Sequence, residues 1–193
     1  MDLIKVVILG IVQGLTEFLP VSSSGHLVLT RHFLGLEDFL PLTLDIFLHF
    51  GTLLAVVVVY WSDIKEIITF KPRYRSFSLY IIIGSIPAGV IGILGEDFFT
   101  RLFSSLLPVG FMLLITGGLL WVSDRIVKAE RQLEDMEVSD GVVVGLAQSL
   151  AIIPGISRSG STIAASLFQG LNREAAARFS FLMSIPVIAG AGF

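Results

Sequence analysis

The sequence predicts an all-α integral membrane protein. It reads as an inverted-topology repeat, each unit a re-entrant helix–loop–helix hairpin plus three transmembrane helices, with the second unit truncated. Three observations carry this. Of 193 residues, 54% are hydrophobic and 15% charged, with mean hydropathy +0.87, whereas a soluble domain carries about 25% charged residues. Several apolar stretches approach the roughly 20 residues needed to cross a bilayer. The chain also matches itself at a shift of 135 residues. Too few polar residues remain to cover a water-exposed sphere, which excludes a soluble cytosolic enzyme, a disordered chain and a nucleic-acid partner. Cysteine is absent, so there is no disulfide framework, thiol nucleophile or zinc-thiolate site. A formal charge of -3 says little, because placement of charge matters more than its sum. The opening MDLIKVVILG does not read as a signal peptide: Asp2 sits in its n-region and no small-residue cleavage site follows.

The elements follow in order. Residues 1–123 form the first repeat. Its hairpin covers about 3–36: an apolar piece to residue 16 containing Lys5, then Glu17, a polar bend Val21-Ser22-Ser23-Ser24-Gly25-His26, and a second apolar piece near 27–36. Apolar runs of about 10–14 residues suit re-entrant segments better than spans. Spans follow at about 44–61, 77–94 and 105–123, with Tyr60, Trp61 and Trp121 at their ends as interfacial aromatics. Residues 124–140 form a cytoplasmic loop. Residues 141–193 form the truncated second repeat: a hairpin over about 141–171 and a span from about 178 that is still apolar at Phe193. In that hairpin the residues 141–153 lead through Pro154-Gly155 and Ile156-Ser157-Arg158-Ser159-Gly160-Ser161 into a piece near 162–171. Lys65, Lys71, Arg73 and Arg75 in 62–76, and Arg125, Lys128 and Arg131 in 124–140, place both connections inside by the positive-inside rule. The segments with Glu37-Asp38 and with Glu96, Asp97 and Arg101 then lie outside. The first hairpin opens externally and the second toward the cytoplasm.

At the 135-residue shift, Gly10, Gln13, Leu15, Ser22, Ser24, Gly25, Phe33, Gly35 and Leu36 fall on Gly145, Gln148, Leu150, Ser157, Ser159, Gly160, Phe168, Gly170 and Leu171. The matched Gln and Ser-x-Ser-Gly do not come from Leu/Val bias. Three spans separate the copies, so they are inverted, and inverted repeats with broken helices place a site near the bilayer midplane where the copies meet. Two complete units need about 270 residues, so the repeat predicts a fragment lacking its last two spans.

An ionisable group inside a membrane segment marks function by default. The first bend offers Glu17, Ser22, Ser23, Ser24 and His26; the second offers Ser157, Arg158, Ser159, Ser161 and Thr162. Arginine presents a planar fork suited to phosphate oxygens. Glycine-flanked bends opening a helix offer N–H groups to an anion. Serine beside histidine is the minimum for an activated hydroxyl, and a carboxylate can orient the histidine or hold a divalent cation. Together these point to phosphoryl chemistry on an anion with an apolar tail. Elsewhere plainer readings apply. Asp45 and His49, spaced i, i+4 on one face near the outer end of a span, read as a structural polar pair or interface group, with a place in the pocket as the alternative. Arg31 and His32 face the interface or headgroups. Gly84, Pro87, Gly89 and Gly92 allow close helix packing or a kink. Residues 128–140 read as a solvated charged loop.

At these residues the sequence resembles the undecaprenyl-diphosphate phosphatase family, also known as the bacitracin-resistance proteins. The segment from Gln13 through Glu17 and Pro20-Val21-Ser22-Ser23-Ser24-Gly25-His26 is similar to the family's first motif, and Pro154-Gly155-Ile156-Ser157-Arg158-Ser159-Gly160-Ser161-Thr162 to its second. The resemblance covers essentially the whole chain. It implies hydrolysis of undecaprenyl diphosphate to the monophosphate carrier lipid of envelope synthesis, peptidoglycan included, and bacitracin resistance. It implies a divalent cation, Mg or Ca, at Glu17, a bacterial plasma (inner) membrane location with a pocket opening to the external side, and paired hairpins with six spans. Gln13 stands where some members carry Glu, which puts more weight on Glu17. On this reading Glu17, Ser23, His26 and Arg158 are catalytic, and Gln13, Ser22, Ser24, Ser157, Ser159 and Thr162 bind the polyprenyl diphosphate. Ser23, His26 or water is the nucleophile. Membrane lipids surround the protein, and the sequence leaves its oligomeric state open, a homodimer included. The rival class is a polyprenyl-phosphate transporter or flippase, which needs no nucleophile.

Overall fold

The computed structural model describes residues 3–36, 42–69, 71, 75–95, 98–99, 102, 105–125 and 130–191. These are almost entirely helical; beyond a single bridge between Arg131 and Leu171, the described residues contain no strand. The all-α expectation holds. Glu37, Asp38, Arg73, Glu96, Asp97, Arg101, Lys128 and Phe193 lie outside the described residues.

The first hairpin is α1 (Leu3–Thr16) and α2 (Ser23–Phe33). α2 starts earlier than the apolar pattern suggests. Ser22 caps it, its hydroxyl accepting from Gly25 N at 3.3 Å, and a serine cap begins a helix at the next residue. Ser23, Ser24 and His26 are therefore first-turn helical residues. Next come α3 (Leu42–Val59) and α4 (Trp61–Ile68), with an 82° bend between them. The single span expected at 44–61 thus breaks at Tyr60, and residues 61–68 are helix, not a polar connection. α4 is amphipathic: Ile64 and Ile67 pack on the core while Lys65 is exposed. Buried Asp63 pairs with Arg178, tying α4 to the last helix. α5 (Arg75–Leu94) and α6 (Leu106–Arg125) are long and apolar enough to cross a membrane, matching the expected spans.

The second hairpin is α7 (Val138–Leu150) and α8 (Arg158–Phe168), followed by α9 (Arg173–Ala191). The span expected from residue 178 begins at Arg173, and α9 lies at the centre of the fold. Phe179, Leu182 and Met183 from α9 pack with Phe77 and Ile81 of α5 and Val144 of α7 in the main core. A smaller core joins Leu9, Leu27 and Leu36, with Leu44 and Leu48 of α3 against it. α5 and α7 approach most closely at two glycines. A Cβ on Gly145 would lie 2.7 Å from Gly84 Cα, so Gly84 allows the close packing its spacing suggests. The reading of 128–140 as solvated fails at Arg131 and Asp140. Arg131 Nη2 donates to Asp140 Oδ2 at 2.8 Å and Nη1 to Gln169 O at 2.5 Å, and Asp140 is buried. A buried carboxylate needs such a partner, and the pair clamps this segment onto the foot of the second hairpin.

Large apolar side chains stay exposed along the outer faces, such as Ile4, Val7, Ile11 and Leu15 of α1 and Leu107, Phe111 and Leu114 of α6. Surfaces this apolar mark contact with lipid or partner, and they agree with a membrane protein.

Candidate active site

The tips of the two hairpins interlock. Ser159 Oγ lies 3.4 Å from the carbonyl oxygens of both Glu17 and Leu19, so the second tip donates into the first turn's backbone. A Cβ on Gly25 would meet Gly155 Cα at 3.2 Å. Irregular backbone at membrane depth must have its polar groups satisfied inside the protein. The second bend meets this requirement through Thr116 of α6. Its hydroxyl donates to Gly155 O at 2.8 Å and accepts from Ser157 N at 3.1 Å. Gly155 itself has φ +95°, and a Cβ there would sit 2.6 Å from Val109 O, so only glycine fits.

Glu17 is the hub. It is 6% exposed, and a buried charge survives only when paired and hydrogen-bonded. Arg158 Nη2 from the opposite hairpin donates to Glu17 Oε1 at 2.6 Å. Ser23 Oγ donates to Glu17 Oε2 at 2.5 Å, and Gln13 Nε2 to the same oxygen at 3.1 Å. The second guanidinium nitrogen of Arg158 donates to Ser180 O at 3.3 Å. A carboxylate, a serine hydroxyl and an arginine fork thus converge from residues 141 positions apart in the chain.

The other expected site residues divide. His26 sits one turn into α2, with Nδ1 on Ser22 O at 2.8 Å. A carbonyl only accepts, so Nδ1 carries the hydrogen and Nε2 is left as the reactive nitrogen. His26 shows no hydrogen bond to Glu17 or Ser23 among the described residues; the Ser23 hydroxyl bonds Glu17 instead. Ser22 and Ser24 hydroxyls are 3.3 Å apart, as are those of Ser157 and Ser159. Ser157 is buried and caps α8 through Gly160 N at 3.0 Å. Thr162 is fully buried, its hydroxyl shared among Arg158 O, Ser159 O and Ser180 Oγ, the last at 2.6 Å. The hydroxyls of Thr162 and Ser157 thus brace the tip from within.

Two neighbours depart from their sequence readings. Arg31 pairs with Asp45, tying α2 to α3, so it does not face headgroups. His49, read first as a structural partner of Asp45 and alternatively as a pocket residue, lies with Nε2 3.7 Å from Glu17 Oε2. The i, i+4 spacing of Asp45 and His49 was a visible signal of a shared face, but only the packing of α3 against α1 brings that face to Glu17. Gln13 Oε1 and Gln148 Oε1, at equivalent repeat positions, are both buried without a hydrogen-bond partner among the described residues.

The sequence is similar to known proteins along nearly its whole length. The family model described as bacitracin resistance protein BacA matches residues 6–193. The undecaprenyl-diphosphatase of Halothermothrix orenii is 56% identical over 192 residues, covering 100% of this chain and 74% of that protein. The protein of the same name from Alkaliphilus metalliredigens is 50% identical, covering 99% of this chain and 75% of its own length. That of Methanosphaera stadtmanae is 44% identical, covering 100% and 76%.

Proposed function

The chain belongs to the bacitracin resistance protein family, and on that premise we propose that it is a membrane phosphatase that hydrolyses undecaprenyl diphosphate to undecaprenyl phosphate and inorganic phosphate. One observation carries the residue-level reading: Glu17 accepts a hydrogen bond from Ser23 while paired to Arg158 of the other hairpin. A serine hydroxyl is a weak nucleophile until a base takes its proton. Glu17 Oε2 is placed for that, and Ser23 Oγ attacks the terminal phosphorus. The bond to the bridging oxygen breaks, undecaprenyl phosphate leaves, and water then releases phosphate from Ser23 and returns the proton. Arg158 exchanges part of its pairing with Glu17 for the phosphoryl oxygens, where fixed donors stabilise the transition-state charge. The first N–H groups of α2 and α8 add donors of the kind that suit an anion at a helix start. His26, through Nε2, serves a phosphate oxygen or the leaving oxygen.

The divalent cation implied by the sequence resemblance fits the donor set in one way. Among the described residues no three His, Cys, Asp or Glu side chains form a cluster. Magnesium is commonly held by one or two carboxylates together with substrate phosphates, not by an all-protein cage. Glu17, the unpartnered Oε1 of Gln13 and the Ser23 hydroxyl would hold it with the diphosphate. When bound, the cation neutralises phosphate charge. On this reading the chain lies in the plasma membrane with the pocket open to the external face, an orientation supported by the basic residues of the connections read as internal.

The test uses purified protein in detergent with undecaprenyl diphosphate, followed by acid quenching and mass spectrometry. Release of phosphate and a phosphorylated Ser23 are expected. Phosphohistidine at His26 would move the nucleophile there. Movement of lipid without phosphate release would favour the transporter reading.

A further inference from the structure

A polar chain runs from α2 to Glu17 by way of α3. Arg31 pairs with Asp45, each side chain 16% exposed. Asp45 O accepts from His49 Nδ1 at 2.8 Å, which fixes the ring's rotation and tautomer, because a carbonyl cannot donate. The other ring nitrogen is thereby aimed at Glu17 Oε2, 3.7 Å away. That is long for a direct hydrogen bond and suits an ion pair or a bridging water. The backbone of His49 is held as well: Thr52 Oγ1 donates to His49 O at 2.8 Å, and Gln13 Nε2 reaches both Thr52 Oγ1 at 3.5 Å and Glu17.

The second hairpin unit supplies an internal control. Moved by the repeat shift, Glu17 becomes Ile152, and Arg31, Asp45 and His49 become Ser166, Ser180 and Ser184. Ser166 and Ser184 donate to nearby carbonyls of their own helices, Thr162 O at 2.8 Å and Phe181 O at 2.6 Å. Where the carboxylate is missing, the whole charged chain is missing.

We infer that His49 is a positioning residue for Glu17, itself anchored by the Arg31–Asp45 pair, that keeps Oε2 aimed at the Ser23 hydroxyl. This rests on the phosphatase reading above. Groups that orient a reacting ligand typically cost about 10–100-fold when removed, because small misplacements are felt steeply in rate.

The experiment compares kcat and KM of wild type, His49→Ala and His49→Gln, with thermal unfolding of each protein as a check on folding. The expected result is a 10–100-fold lower kcat for His49→Ala, little change in KM, and recovery of most of the rate in His49→Gln, whose amide N–H can again face the carboxylate. Asp45→Asn, which weakens the Arg31 pair, is expected to fall between wild type and His49→Ala. A His49→Ala protein with wild-type kcat overturns the role of His49 and leaves the phosphatase reading intact. So does a folded His49→Gln as slow as His49→Ala, since the amide then fails to replace the ring. A loss seen only as a lower unfolding temperature, with kcat retained, identifies a packing residue and also overturns it. Wild-type protein that releases no phosphate overturns both readings.

Discussion

The two hairpin tips are built on one plan and do different work. In each, a serine caps the second helix, its hydroxyl 3.3 Å from that of the serine two residues on, with glycine three residues after the cap. Each second helix ends at a glycine of positive φ, Gly35 and Gly170, followed by a buried leucine. The differences lie in single residues. The position after the cap is Ser23 in one tip and Arg158 in the other. The first tip has Glu17 where the second has Ile152. Ser22 has φ +69° while Ser157 has φ -74°. A non-glycine residue in the left-handed region costs on the order of 1–3 kcal/mol and persists where the surroundings demand it. Here the Ser22 carbonyl receives both His26 N, at 3.1 Å, and His26 Nδ1, at 2.8 Å. The comparison teaches that a common frame fixes where the tips are, while individual side chains decide what each contributes: Ser23 and a carboxylate from one and a guanidinium from the other, which the proposed function reads as nucleophile, base and phosphate grip.

If that division is right, the largest effects come from the residues that differ. Ser23→Ala and Glu17→Ala are each expected to lower kcat by about a thousandfold or more, as loss of an activated nucleophile does. Arg158→Ala should lower kcat/KM by a similar factor and raise KM as well, because it removes substrate binding along with charge stabilisation. Steady-state phosphate release measures all three, and a Ser23→Ala enzyme within about tenfold of wild-type kcat would break the assignment.

Next comes the frame. Gly145→Ala forces a methyl against Gly84 backbone and should destabilise by about 1–3 kcal/mol, whereas Gly117→Ala, with nothing within 4 Å of its Cβ position, should stay within about 0.5 kcal/mol of wild type. Unfolding temperatures in detergent compare them. The smallest effects belong to the caps. Ser157→Gly should cost a few tenths of a kcal/mol. Ser22→Gly loses the same cap but relieves the positive φ, so it should be neutral or slightly stabilising. Equal losses at both would show that the strain at Ser22 is of no consequence.

Much of this was legible in the chain. Short apolar runs interrupted by Ser-rich bends locate both hairpins, and the ionisable residues at those bends, Glu17 and Arg158, are the ones that meet. α2 and α8 start earlier than the apolar pattern implies, because apolar periodicity does not see a serine cap. The bend at Tyr60 was hidden because the apolar run continues through Trp61, while Asp63, which looks solvated in sequence, is buried against Arg178. His49 could not be tied to Glu17 from spacing, since they lie on separate elements joined only by packing. The Glu17–Ser23 hydrogen bond was likewise beyond reach: adjacency in sequence favoured His26 as the partner of Ser23, and the turn between α1 and α2 folds Glu17 back instead.

The central claim is that Glu17 and Arg158 join the two hairpins as one buried unit. A double-mutant cycle on stability, with Glu17→Ala, Arg158→Ala and the pair together, tests it most directly. Arg158→Ala alone leaves a buried carboxylate without its cation and should cost about 3–5 kcal/mol, while the double variant should recover about 2 kcal/mol or more relative to the sum of the singles. Effects that add within about 0.5 kcal/mol would mean that the two side chains do not meet, and the site as described would not exist.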